Sequence, residues 1–182
     1  SYGVVSASNY KATFFDGECA VIATDIPAEE QGTGMLFNMD GEVVGMVSSS
    51  VWNDTGKNVV NAYGISDLKP IIELLINGKS VPYIGIYGTT VTEQLAEEHK
   101  MPSGIYVADV DPDSPAMAAG IQIGDIICEA SGEEIKDIAA YQNIVIGSSV
   151  GETMEFVGKR LGSDGYVNIK FSVVTTEKEE VK

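Results

Sequence analysis

Short β-rich runs separated by Gly, Asp, Asn and Pro turn signals recur along most of the chain, and this rhythm constrains the fold more than any other feature. Such runs lie at residues 20–24 and 42–47, then at 84–87, 104–110, 125–130, 152–159 and 166–174. Asp40-Gly41 is a pair that closes a hairpin, and Leu161-Gly162-Ser163-Asp164-Gly165 is a hairpin loop between the last two runs. Few helices interrupt them. Apolar residues at helical spacing follow Ser66-Asp67 and stop at Asn77-Gly78, as a helix C-terminus should. Thr90-Val91-Thr92-Glu93 has capping-box spacing before residues 94–99, Ser114-Pro115 opens a short helix that ends at Gly120, and Lys136-Asp137 precedes a helix over 138–146. The expected class is mainly β with α. An antiparallel meander or partial barrel comes first, and an α+β unit follows it.

The pattern changes at Lys79-Ser80-Val81-Pro82, which places a domain boundary near residue 80. The expected organisation is residues 1–79, residues 80–176 and a charged, frayed tail over 177–182. At 182 residues and 44% hydrophobic content the chain can bury two small cores.

Charge removes whole classes of function. Eleven Lys and Arg stand against 27 Asp and Glu, a net charge of −16 that repels nucleic acid and anionic lipid. Both parts contribute, with ten acidic residues against four basic up to Lys79, and 17 against seven from Ser80. No run approaches the roughly 20 apolar residues of a membrane-spanning helix, and no charged-then-apolar leader opens at Ser1. Cys19 and Cys128 have no CxxC spacing, so neither zinc nor a disulfide framework is indicated, and no cofactor is expected. Cys128, inside a β-run, reads as a buried inert thiol. His99, the single histidine, reads as a polar end to a helix rather than a catalytic base.

Two places could carry chemistry. The loop from Asp25 to Thr33 is one. The other is Tyr83-Ile84-Gly85-Ile86, where a glycine flanked by aliphatics can turn successive backbone N–H groups outward into a nest that takes a carboxylate without a basic side chain. An ordinary strand entry is the plainer alternative for the same four residues.

Asp113-Ser114-Pro115-Ala116, Ala119-Gly120-Ile121, Ile123-Gly124-Asp125-Ile126-Ile127 and Ser131-Gly132-Glu133-Glu134-Ile135 occur in that order and resemble a PDZ domain of the bacterial type. The resemblance implies that a peptide C-terminus adds as a strand between the strand after the carboxylate loop and a helix. It places the loop at Tyr83, Ile84, Gly85 and Ile86 and the facing helix at Ile138 to Val145. Ile84 and Ile86 would floor the site, while Ile138 and Gln142, four apart on one helix, would line the opposite wall with Val145. Core packing for Ile138 and solvent exposure for Gln142 are the competing readings. Aliphatic walls imply partners with an apolar C-terminal residue, and the acidic surroundings disfavour acidic residues upstream in the peptide.

The first part resembles the second β-barrel of HtrA (DegP/DegS-type) trypsin-like proteases, through Gly3-Val4-Val5-Ser6-Ala7, Ala23-Thr24-Asp25, Gly34-Met35-Leu36-Phe37-Asn38, residues 40–46 and Tyr63-Gly64-Ile65. The family's nucleophile motif Gly-Asn-Ser-Gly-Gly corresponds here to Glu30-Gln31-Gly32-Thr33-Gly34-Met35, which has no serine. The nucleophile position falls on Thr33 or on Gly32. The family's histidine and aspartate belong to a first barrel that this chain does not contain, so the resemblance implies a peptide-binding region beside a protease remnant without proteolytic activity. The alternative is a fragment of an active serine endopeptidase of protein quality control, with Thr33 as nucleophile. The resemblance further implies an extracytoplasmic setting, a parent with an upstream anchor, and a parent that oligomerises.

Overall fold

A computed structural model describes residues 1–27, 32–48 and 59–177. Two compact units emerge: residues 1–12 with 19–73, and residues 13–18 with 74–182. The fold is mainly β with a few short helices, as expected. Among the described residues no helix is long and apolar enough to cross a membrane.

The first unit is built on a sheet of order β1-β2-β5-β4-β3, with β1 Val5–Phe14, β2 Gly17–Pro27, β3 Gly34–Phe37, β4 Val43–Val47 and β5 Val59–Gly64. Along β2 the buried positions Cys19 and Val21 alternate with half-buried ones, the period of two that a one-sided sheet requires. The β3–β4 connection is the expected Asp40-Gly41 hairpin. Asn38 Oδ1 accepts the N–H of Asp40 (3.0 Å) and of Glu42 (2.9 Å), and Gly41 takes φ +80°, where a Cβ is disfavoured. Met35, Phe37 and Met39 remain exposed, so this unit presents much apolar surface. Residues 25–27 of the loop expected over residues 25–33 belong instead to β2, which continues through Pro27; residues 28–31 lie outside the described set.

Helix α1 covers Ile65–Ile76. It ends in a Schellman arrangement, where Gly78 at φ +67° donates to the Leu75 carbonyl (3.0 Å) and Lys79 donates to that of Leu74 (3.0 Å).

The second unit is an antiparallel sheet of order β12-β11-β9-β8-β7, with β7 Ile86–Val91, β8 Gly104–Val110, β9 Ile126–Ala130, β11 Thr153–Gly162 and β12 Gly165–Val174. The two-residue strand β10 Glu133–Glu134 pairs with β9, and β6 Pro82–Tyr83 pairs with β13 Thr176–Glu177. Helices α2 Glu93–His99, α3 Pro115–Ala118 and α4 Ile138–Gly147 complete it. Ile84, Ile86, Ile105, Val107, Ile127, Tyr141, Val145, Met154 and Phe156 are nearly fully buried in one continuous core. Burying each stabilises by about 1.5–3 kcal/mol relative to exposure. Asp125, just before β9, is fully buried: its carboxylate accepts from Arg160 Nε (2.6 Å) and Nη2 (2.8 Å) and from the Gln122 N–H (2.9 Å).

Several local expectations need correction. The cap of α2 is Thr92, whose Oγ1 accepts from the Leu95 N–H (3.3 Å), whereas Thr90 Oγ1 accepts from the Ile138 N–H (3.1 Å) and so serves another helix. The β11–β12 loop shrinks to Ser163-Asp164, since the ladder runs to the Gly162–Gly165 pair. Cys128 is half-buried rather than buried. The tail is ordered to Glu177: buried Thr175 donates through Oγ1 to the Ser149 carbonyl (2.6 Å), and β13 pairs with β6; residues 178–182 lie outside the described set.

Candidate functional site

The Tyr83–Ile86 segment is a turn between β6 and β7 rather than part of one continuous strand. The Ile84 carbonyl accepts from the Ala116 N–H (2.9 Å) and the Gly85 carbonyl from the Asp111 N–H (2.9 Å). With both carbonyls tied inward, the N–H groups face the other way. Gly85 makes this possible at φ +93°, and a Cβ there would lie 2.3 Å from Ser114 Cβ. The Tyr83 hydroxyl donates to the Asp111 carboxylate and braces the turn; burial first, and then that bond and the carboxylate's charge, push the phenol upward.

The outward N–H groups converge on one carboxylate, and it comes from the chain itself. Asp16 Oδ2 accepts from the N–H of Ile84 (2.7 Å) and Gly85 (2.8 Å), and Oδ1 accepts from the N–H of Ile86 (2.9 Å) and from the Tyr141 hydroxyl (2.7 Å). Asp16 lies at the tip of the β1–β2 hairpin, in the Thr13–Glu18 segment that is grouped with the second unit. Burial raises the Asp16 carboxyl above its ordinary value of 3.8, against the lowering effect of the Tyr141 bond and the three backbone bonds.

Facing the turn is α4, capped by Asp137, whose Oδ1 accepts the Ala140 N–H (2.7 Å). The Ile138 N–H bond to Thr90 Oγ1 pins the start of α4 to β7. Ile138 and Val145 are buried in the apolar core together with Ile84 and Ile86, and Tyr83 is also buried. Gln142 is buried too, and its Oε1 accepts from the Glu18 N–H (3.1 Å). The structure therefore brings Ile84, Gly85, Ile86 and Gln142 together around the hairpin tip, while Tyr83 turns to Asp111.

Sequence reasoning did not single out Asp16. A signal existed: Asp16-Gly17 is the same dipeptide that marks the second hairpin at Asp40-Gly41. Tyr141 was also missed, since a tyrosine on an apolar helix reads as core.

In the first unit Gly32 and Thr33 are exposed and line the rim of a cavity of about 1040 Å³, whose walls include Ile22, Ile26, Leu36 and Val60. His99 is exposed on α2 of the second unit. Among the described residues no group of three or more His, Cys, Asp or Glu side chains could hold a metal ion.

An antiparallel sheet, a facing helix and a nest of backbone donors together define a PDZ domain, and residues 106–160 match the PDZ-domain family model. The relatives extend the likeness beyond that domain. The probable periplasmic serine endoprotease DegP-like of Halomonas elongata is 29% identical over 174 residues, covering 92% of this chain and 36% of the relative. Serine protease Do-like HtrA of Bacillus subtilis is 30% identical over 174 residues, covering 88% of this chain and 38% of the relative. A solved structure described as HtrA-type protease AlgW with tripeptide shares the fold at TM-score 0.61, with 21% identity over 98% of this chain and 60% of that one. This chain is an HtrA-family C-terminal region that carries a PDZ domain. It spans less than two fifths of the length of these two curated relatives.

Proposed function

We propose that the groove between β7 and α4 binds the free C-termini of peptides or unfolded proteins, with the N–H groups of Ile84, Gly85 and Ile86 holding the terminal carboxylate. The observation that carries this reading is the convergence of those three donors on one carboxylate, at 2.7–2.9 Å. Charge-assisted bonds of this length are about twice as strong as neutral ones, and no basic side chain is needed. The Ile86 carbonyl accepts the N–H of the residue that carries that carboxylate (2.7 Å), which is what strand addition along β7 requires. On this reading Ile84, Ile86, Ile138 and Val145, which pack in one apolar core, supply the floor and wall that favour an apolar last residue.

On this reading residues 80–176 are the binding domain and residues 1–79 a partial trypsin-like unit. Its nucleophile position, Thr33 or Gly32, carries no serine. A β-branched alcohol with no positioned base is a weak nucleophile, so the chain binds without cleaving. The relatives named periplasmic support an extracytoplasmic setting.

Fluorescence anisotropy with a labelled Ser-Gly-Phe-Val-Val peptide, as the free acid and as the C-terminal amide, tests the carboxylate reading. The free acid should bind at least tenfold tighter (about 1.4 kcal/mol). Equal affinity for both forms overturns it.

A further inference from the structure

We propose that the β1–β2 hairpin tip is a built-in competitor of the site: Asp16 sits where a peptide's terminal residue would sit, and the groove accepts an outside C-terminus only when the tip leaves. This rests on the carboxylate reading above and adds a mode of regulation to it.

The imitation extends beyond the carboxylate. Asp16 offers the same two polar features as a terminal residue, a carboxylate in the nest and a backbone N–H to the Ile86 carbonyl (2.7 Å). Its neighbours occupy the flanks of the groove. Phe15 meets the Tyr87 ring of β7 edge-on at a centroid distance of 5.8 Å, and the Glu18 N–H donates to Gln142 Oε1 on α4 (3.1 Å). Gly17 packs so closely that a Cβ would lie 2.5 Å from Gln142 Cδ, which leaves no room for a second chain at that point. The Tyr141 hydroxyl is fully buried and directed at Asp16, a donor that would otherwise lack a partner at the floor of the nest.

The left-handed backbone at Asp16, φ +64°, makes a two-residue turn that thrusts the carboxylate outward from the hairpin. Because the competitor is tethered, it acts at an effective concentration of the order of mM. A tip that fills the nest in about nine molecules of ten lowers the apparent affinity for a peptide about tenfold.

Asp16→Asn keeps the size of the side chain, but removes its charge and turns an N–H₂ toward donors. Phe15→Ala weakens the tip without touching the nest and covers the case in which the first variant folds poorly. Amide hydrogen exchange of Ile84, Gly85 and Ile86 in the whole chain reports nest occupancy with no peptide present. Anisotropy with the Ser-Gly-Phe-Val-Val free acid reports access. The expected result is faster exchange at all three amides and an affinity up to about tenfold higher in Asp16→Asn, with a smaller gain in Phe15→Ala. Unchanged exchange, or equal peptide affinity in wild type and both variants, overturns the competitor while leaving the binding site intact. If the free acid binds neither wild type nor either variant although the variants exchange faster, the binding reading itself fails, and the inference falls with it.

Discussion

Replacing Gly85 with alanine should disable the nest through two separable terms. The first is conformational: a residue with a Cβ at φ +93° costs about 1–3 kcal/mol. The second is steric. The new Cβ would lie 2.3 Å from Ser114 Cβ and 2.7 Å from Ser114 Oγ, and Ser114 is buried and caps α3, so it has little freedom to retreat. Overpacking of this kind costs about 1–3 kcal/mol. Part of the sum, about 0.4–1 kcal/mol, is offset by the lower entropy of the unfolded chain. The net loss should fall near 2–5 kcal/mol, with the larger part of the uncertainty in the steric term. Ser114→Gly removes the clashing atoms, and as a cap replacement it costs only a few tenths of a kcal/mol. The double variant should therefore recover about 1–3 kcal/mol over Gly85→Ala, while the conformational term persists. Because two units can unfold separately, urea titrations should be read from amide signals of the second unit. A loss below about 0.5 kcal/mol in Gly85→Ala, or no recovery in the double variant, would refute the reasoning.

Other consequences can be checked directly. Arg160→Met should destabilise the second unit by about 3–5 kcal/mol, because it leaves the Asp125 carboxylate, 1% exposed, without its fork. Adding Asp125→Leu should recover much of that loss, and a double variant no more stable than Arg160→Met would contradict this account of the pair. Burial, aided by the Asp67 charge and opposed by a bond to the Gly64 carbonyl, pushes the Cys19 thiol up to about 11. Its labelling by a thiol reagent should thus be slow at pH 8 and climb steeply toward pH 11, and the native state should lose stability over pH 9–11, where only the unfolded thiol ionises. Fast labelling of folded protein at pH 8 would show that the burial is wrong. The purified chain should leave casein intact on gels, with Thr33→Ala changing nothing; cleavage that the substitution abolishes would restore Thr33 as a nucleophile.

The second unit was legible where its signals are local. Asp137, Ser114 and the Asn77-Gly78 stop each act within a few residues of themselves, and each lies at or beside the helix end it marks. The Thr90 cap was misread because two threonines compete at that corner, and the choice is made by Ile138, 48 positions away. The turn at Tyr83–Ile86 was visible as a nest, but its occupant was not. Asp16 meets Ile84 across 68 positions and Tyr141 across 125, and no periodicity or spacing rule reaches that far. An aspartate beside a glycine reads as a turn residue, which it is, and that local role conceals the distant one.

The order in which these parts are made has its own consequence. Asp16 leaves the ribosome ahead of Tyr141 by 125 residues, roughly 6–25 s at ordinary synthesis rates. The tethered carboxylate is therefore already waiting when Ile84, Gly85 and Ile86 emerge and when α4 closes the groove. On the competitor reading, a free C-terminus from a neighbouring chain meets a groove whose tethered rival was synthesised before the groove's own helix.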